Sequence, residues 1–288
     1  MRHKKLWFTH FPKIAINIVV ILVVISVFYC CAMLNGDPSD GKRNSGKALS
    51  KLEKIKRSGK LVVGTSADYP PYEFHLFNES NGDLVGIDID IAKAIARELG
   101  VKLVIRDLIF SRIFSALRSD QIDIAIAGLN PTAERKEFAS FSDIYYQAIQ
   151  SILIRTEDMG RIKTVEDLRG KKIGTQRDSI QEAMAHSEIQ GARYDVRETI
   201  EELVILLEKG LVDAIILEEP VANSYIRQKK NFMKIRHKRF ENLLGSAIAV
   251  KKGDYDLLKE INRILADLKK TDKITEYEEN AKMLTNKR

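Results

Sequence analysis

Two spacings of apolar residues alternate along this chain, and each change of spacing predicts a change of element. After Gly86 the order Ile-Asp-Ile-Asp-Ile alternates apolar and polar. Ile91, Ala94, Ile95 and Leu99 then fall at i, i+3, i+4 and i+8 on one helical face, with Lys93, Arg97 and Glu98 elsewhere. Asp88 and Asp90 at the entry predict side-chain acceptors for the free N–H groups of a first turn, where the helix dipole favours negative charge. Gly100 predicts a left-handed C-cap. Short continuous apolar runs at 61–63, 103–105, 124–127 and 214–217 read as strands, those at 124–127 and 214–217 as strands buried on both faces.

Two of these patterns occur twice. Gly59-Lys-Leu-Val-Val-Gly64-Thr65 returns as Gly170-Lys-Lys-Ile-Gly174-Thr175, one residue shorter. The stretch 117–130, through Ile122-Asp123, aligns without a gap on 207–220, through Val212-Asp213, and polar residues follow each apolar strand. Echoes in matching order predict two related α/β lobes. Ligands of open α/β sheets bind outside the carboxyl ends of the strands, so two such ends facing each other make a cleft. The chain is expected to change lobes near 145–151, to return through 245–250, and to pack a helix at 255–268 back on the first lobe, as in a hinged protein that closes on its ligand.

The N-terminus is a different material. Residues 1–13 carry Arg2, Lys4, Lys5 and Lys13 and no acid, and 14–34 is apolar apart from Asn17, Ser26 and the chain's two cysteines, Cys30 and Cys31. A basic end before a membrane-seeking run predicts export. The segment 1–34 reads as a signal with a lipidated cysteine at Cys30 or Cys31, or as an uncleaved anchor. Tyr29 before Cys30 makes a poor lipoprotein box. Residues 35–50 read as a flexible spacer. The formal charge is +7, and the four positives at 1–13 leave +3 for the rest, with no basic stripe interleaved with aromatics, so nucleic acid is not indicated. Beyond 34 there is no further cysteine and no run long enough to span a bilayer, so neither disulfides nor a thiolate zinc site support the fold.

The Gly86-Ile-Asp-Ile-Asp-Ile string followed by a helix resembles the signature of the extracytoplasmic solute-binding proteins that feed polar amino acids to ABC transporters, bacterial solute-binding protein family 3. The resemblance implies an α/β, two-lobed periplasmic-binding-protein-like (type II) fold with a hinged cleft. Lobe 1 would comprise 51–148 and 249–288, and lobe 2 would comprise 149–248. It implies a free polar amino acid as ligand, basic ones among the candidates, ABC permease and ATPase subunits as partners, no cofactor and no metal, and a location outside the cytoplasm tethered to the cell membrane.

It also implies a site. Tyr69, in the two-proline loop Asp68-Tyr69-Pro70-Pro71-Tyr72, would stack on the ligand side chain, with Phe110 as a second aromatic wall. Arg135, in Gly128-Leu-Asn130-Pro-Thr-Ala-Glu-Arg135, would clamp the α-carboxylate, with backbone at Gly128 and Asn130 completing the site. Ser179 and the Ile180 N–H would also meet the carboxylate, Gln176 would reach the side chain, and Glu218 would receive the ammonium. On pattern alone Tyr69 suits an ordinary turn, Phe110 a core, Arg135 an exposed first helical turn, Ser179 a plain N-cap, and Glu218 with Glu219 a solvated pair. Asp178 stands where the family has glycine. Asp68, Glu73, Asp178 and Glu219 are acids that would suit a cationic side chain.

Two other classes fit the same fold. One is an enzyme such as a cyclohexadienyl (arogenate or prephenate) dehydratase, which needs a positioned acid or base. His75 and His186, the nearest histidines, stand in no recognisable constellation, and no Gly-x-Ser-x-Gly, His-Glu-x-x-His or nucleotide loop occurs. The other is a tethered sensor or adhesin. The reading taken here is a binding protein and not an enzyme.

Overall fold

The computed structural model of the protein describes residues 48–76, 83–236, 238–240 and 244–286, apart from the side chain of Arg239. The expectations for 1–34, for Cys30 and Cys31 and for most of the spacer lie outside these residues. Among the described residues no helix is long and apolar enough to cross a membrane.

Ser50 opens α1 (Lys51–Ser58) in a capping box with Glu53, and β1 (Lys60–Thr65) follows. A small antiparallel sheet of β2 (Asp68–Tyr69), β3 (Glu73–His75) and β4 (Leu84–Val85) leads into α2 (Ile87–Leu99). Then come β5 (Lys102–Asp107), α3 (Ile113–Arg118), β6 (Ile124–Ala125), α4 (Ala133–Phe138) and β7 (Ala139–Phe141). The chain crosses through β8 (Tyr146–Ala148) into β9 (Gln150–Arg155), β10 (Lys172–Gln176), α5 (Ile180–Glu188), β11 (Arg193–Arg197), α6 (Ile200–Glu208), β12 (Ala214–Glu218), α7 (Glu219–Gln228) and β13 (Phe232–Ile235). It returns through β14 (Leu244–Ser246) to β15 (Ala249–Lys251), α8 (Tyr255–Lys270) and α9 (Lys273–Thr285).

The fold is two-lobed. The first sheet has the order β5-β1-β6-β15-β7 and the second β11-β10-β12-β9-β13, so each lobe repeats one arrangement. In each, three parallel strands are followed by an antiparallel strand from the other end of the excursion: β15 beside β6, and β9 beside β12. The two crossings lie side by side, because β8 pairs antiparallel with β14.

The sequence echoes correspond to shared chemistry. Asp123 Oδ2 accepts from Val62 N at 2.8 Å, and Asp213 Oδ2 accepts from Lys172 N at the same 2.8 Å. Each aspartate thus holds the start of the neighbouring parallel strand. Glycine beside them leaves room for neighbouring side chains: a Cβ on Gly64 would lie 2.4 Å from the Ile122 terminal methyl, and one on Gly174 2.9 Å from a Leu203 methyl, so either side chain would have to shift. One apolar cluster includes Leu61, Ile95 and Leu257 of the first lobe and Leu203, Leu217 and Val221 of the second.

Helix α2 starts at Ile87 and closes on Gly100 at φ 68°, the left-handed cap expected there. Its aspartates do not cap it. Gly86 is the N-cap without any side-chain bond, and Asp88 is buried and turned inward while Asp90 pairs with Lys93. The backbone explains the difference. Ile87 N donates to Pro71 O at 3.1 Å and Asp88 N to Tyr72 O at 2.9 Å, so the first turn's donors are taken by the two-proline loop. A Cβ on Gly86 would lie 2.1 Å from Tyr72 O. The motif therefore fastens the helix start to that loop.

Candidate ligand cleft

The carboxyl ends of β1 and β6 face those of β10 and β12 across a tight cavity with room for about one water molecule. The cleft is closed. Tyr72 OH donates to Glu218, Ser111 Oγ to Glu198 at 2.9 Å, and Arg135 Nη2 to the carbonyl of Asp178 at 3.0 Å. Gln176 Nε2 and Ile200 N both reach Asp68, at 3.1 and 2.7 Å.

Arg135 sits in the first turn of α4, after Thr132 has capped it, and is only 7% exposed. Its guanidinium donates to the carbonyls of Asn130 (3.1 Å) and Asp178, and lies over the rings of Phe110 (5.6 Å) and Phe114 (5.2 Å). Among the described residues no carboxylate forms an ion pair with it, and burial pulls its pKa down to about 10. A buried, unpaired guanidinium is costly unless an anion joins it.

The other side of the cavity has the opposite problem. Asp68, Glu73, Asp88 and Glu218 are all buried, and among the described residues no lysine or arginine forms an ion pair with any of them. Burial pushes Asp68 and Glu218 up to about 7, and Glu73 well above the usual carboxylate range. Glu218 ends β12 and accepts from Tyr72 OH. The Asp88 carboxylate beside Glu73 adds to the rise there, and among the described residues Glu73 Oε2 has no hydrogen-bond partner. Asp88 in turn accepts from Gly128 N at 2.9 Å and from Tyr145 OH at 2.8 Å.

Of the expected site residues, Tyr69, Phe110, Gly128, Asn130, Arg135, Gln176 and Ile180 line the cavity. Tyr69 stacks on Tyr72 at 5.5 Å and passes 3.4 Å from where a side chain on Gly128 would begin. Glu218 lies behind this lining, against Tyr72. Ser179 does not line it: its hydroxyl caps α5 by accepting from Glu182 N and donates to Gln176 O. Asp178 takes the left-handed conformation itself, at φ 61°, so the loop keeps a glycine-like path. Asp178 and Glu219 are not in the cavity, and Glu219 is engaged by Lys234 and Arg236. His75 pairs with Asp107 and His186 packs on Tyr194, both away from the cavity.

The sequence reading did not place Gln181 in the site. It lines the cavity and donates to Gln150 Oε1 at 2.9 Å and to Tyr69 OH at 3.3 Å. Its position in the first turn of α5, one residue past Ile180, is the only sequence signal for it.

Residues 61–281 match the family model of the bacterial extracellular solute-binding proteins, family 3. The chain belongs to that family. It is 34% identical over 232 residues to the arginine-binding extracellular protein ArtP of Bacillus subtilis, covering 79% of this chain and 85% of the relative. Among solved structures it is similar to an amino acid ABC transporter substrate-binding protein, AbpA, of Streptococcus pneumoniae bound to L-arginine. There the identity is 32%, the TM-score 0.78, and the coverage 82% of this chain and 100% of that one. It is also similar to an ancestral amino-acid-binding protein described as a precursor of cyclohexadienyl dehydratase, at 33% identity and TM-score 0.74, covering 80% and 99%.

Proposed function

We propose that this protein is the extracytoplasmic receptor of an ABC importer and binds a basic L-amino acid, L-arginine before others, in the closed cleft. The observation that carries this reading is the separation of buried charge: among the described residues Arg135 forms no ion pair with a carboxylate, and the acids opposite it form none with a lysine or arginine. A zwitterion with a cationic side chain answers both. Its carboxylate would meet Arg135 and the free N–H groups at the start of α5, where Ile180 stands. Its ammonium would meet Glu218. The side-chain cation would lie between Tyr69 and Phe110 and reach the unpartnered Oε2 of Glu73. Two relatives described as arginine-binding or arginine-bound support the same ligand.

The lobes in this reading are 51–148 with 249–288, and 149–248, and the ligand passes to separate permease and ATPase subunits. The basic and apolar segment 1–34 tethers the receptor to the membrane, as an anchor or through a lipidated Cys30 or Cys31. Calorimetry of the full chain in detergent against L-arginine, L-lysine, L-glutamine and L-glutamate tests the assignment. L-Arginine is expected to bind most tightly and L-glutamate least; preference for L-glutamate would overturn it. Incubation with prephenate or arogenate should leave both unchanged, and turnover would favour the dehydratase reading that the ancestral relative raises.

A further inference from the structure

We propose that Asp68 is the latch that holds the cleft shut, a positioning residue that joins the two lobes instead of pairing with the ligand's side chain. Three elements of the second lobe converge on this one residue of β2. Asp68 Oδ2 accepts from Ile200 N, the first residue of α6, at 2.7 Å and from Gln176 Nε2 at the end of β10 at 3.1 Å. Its carbonyl accepts from Tyr225 OH of α7 at 3.4 Å. Within its own lobe, Oδ1 accepts from Ser66 Oγ at 3.3 Å, and Asp107 fixes the same turn by accepting from Ala67 N at 2.9 Å.

The end of α6 explains why an acid from the opposite lobe is needed. Thr199 and Glu202 already form a capping box there, which uses the N–H groups of Glu202 and Thr199. The Ile200 N–H is left over, buried, and at the positive end of the helix dipole. Asp68 supplies its acceptor only when the lobes meet. Opening the cleft would leave that donor to water and strip the Asp68 carboxylate of both its second-lobe donors. Each carboxylate oxygen already carries a donor, which leaves Asp68 ill placed to take a guanidinium, whereas Glu73 retains a free oxygen. The charged groups around the latch are Glu201 beside Ile200 and Asp107 behind Ala67, both acidic, and among the described residues no lysine or arginine forms an ion pair with Asp68 in place of the helix end.

The latch rests on the proposed function only in that the cleft is the ligand site, and the test separates the two. Stopped-flow binding of L-arginine and of L-glutamine is measured on full-chain wild type, Asp68→Asn and Asp68→Ala. A latch acts after ligand entry, so Asp68→Ala should raise the dissociation rate at least tenfold for either ligand and leave the association rate within about twofold. Asp68→Asn keeps an oxygen that can accept from Ile200 N and should fall between wild type and alanine; if the alanine variant does not fold, it decides the question alone, with an expected rise of threefold or more. Dissociation rates within twofold of wild type overturn the latch. So does a loss confined to L-arginine, which would make Asp68 a partner of the cationic side chain. If wild type binds neither ligand, the proposed function fails and ligand-free amide exchange over 199–208 decides the latch. Faster exchange there in the variants, with the rest of the chain unchanged, supports it; equal exchange overturns it.

Discussion

Asp88 Oδ2 accepts the amide of Gly128 at 2.9 Å, which ties the first turn of α2 to the end of the strand that borders the cleft. The same carboxylate accepts from Tyr145 OH, next to the crossing strand β8. The Gly-Ile-Asp-Ile-Asp string is thus a junction between the two-proline loop, the β6 end and the crossing between lobes.

Asp88→Ala would leave Gly128 N and Tyr145 OH buried without their acceptor. The expected loss is about 2–4 kcal/mol of stability, with weaker ligand binding because Gly128 is no longer held. Urea unfolding at unchanged m-value and calorimetry check the two effects. Unaltered stability would mean that water or another group replaces the carboxylate.

Gly86 and Gly100 bracket the same helix, both at positive φ, and should respond differently to alanine. At Gly86 (φ 129°) the new Cβ meets Tyr72 O at 2.1 Å, whereas at Gly100 (φ 68°) nothing lies within 4 Å. Gly100→Ala should cost roughly 1 kcal/mol of backbone strain. Gly86→Ala should cost about 3 kcal/mol or more, because the loop carrying Tyr69 must also move. Thermal melts of both variants rank them directly.

Acid–base linkage gives a third prediction. Burial holds Asp68 and Glu218 near 7 and raises Glu73 and Asp88, so the ligand-free closed protein keeps protons that the unfolded chain releases near pH 4. Stability from this source is complete below about pH 4 and is lost as pH rises through about 7. Each pKa unit corresponds to about 1.4 kcal/mol. Ion-paired acids with lowered pKa, such as Asp120, Asp195 and Glu219, act at the acid end instead. The ligand-free melting midpoint should therefore fall between pH 5 and 8, and Glu218→Gln should flatten the slope. A midpoint that rises over that range would contradict the buried, unpaired state of these acids.

The lobes were legible because buried parallel strands write unbroken apolar runs, and because Asp123 and Asp213 perform one task twice at equivalent positions. Arg135 and Glu218 followed from the resemblance, since their exposure on pattern alone depended on what the opposite lobe does. Contacts across the cleft left no trace in local spacing. Asp68 meets Ile200, Tyr72 meets Glu218 and Tyr69 meets Gln181, each more than a hundred residues away. Asp88 misled for the same reason: its position matched a helix cap, but its partner lies 40 residues on, in another strand.

The central claim is that Arg135 receives a ligand carboxylate while the acids opposite receive its cations. Calorimetry with L-arginine and with agmatine, which lacks the carboxylate, tests it on wild type and Arg135→Ala. L-Arginine should bind the variant at least about 100-fold more weakly, close to 3 kcal/mol, and agmatine should bind both proteins about equally. L-Arginine binding within about twofold of wild type, or an equal loss for agmatine, would contradict the account.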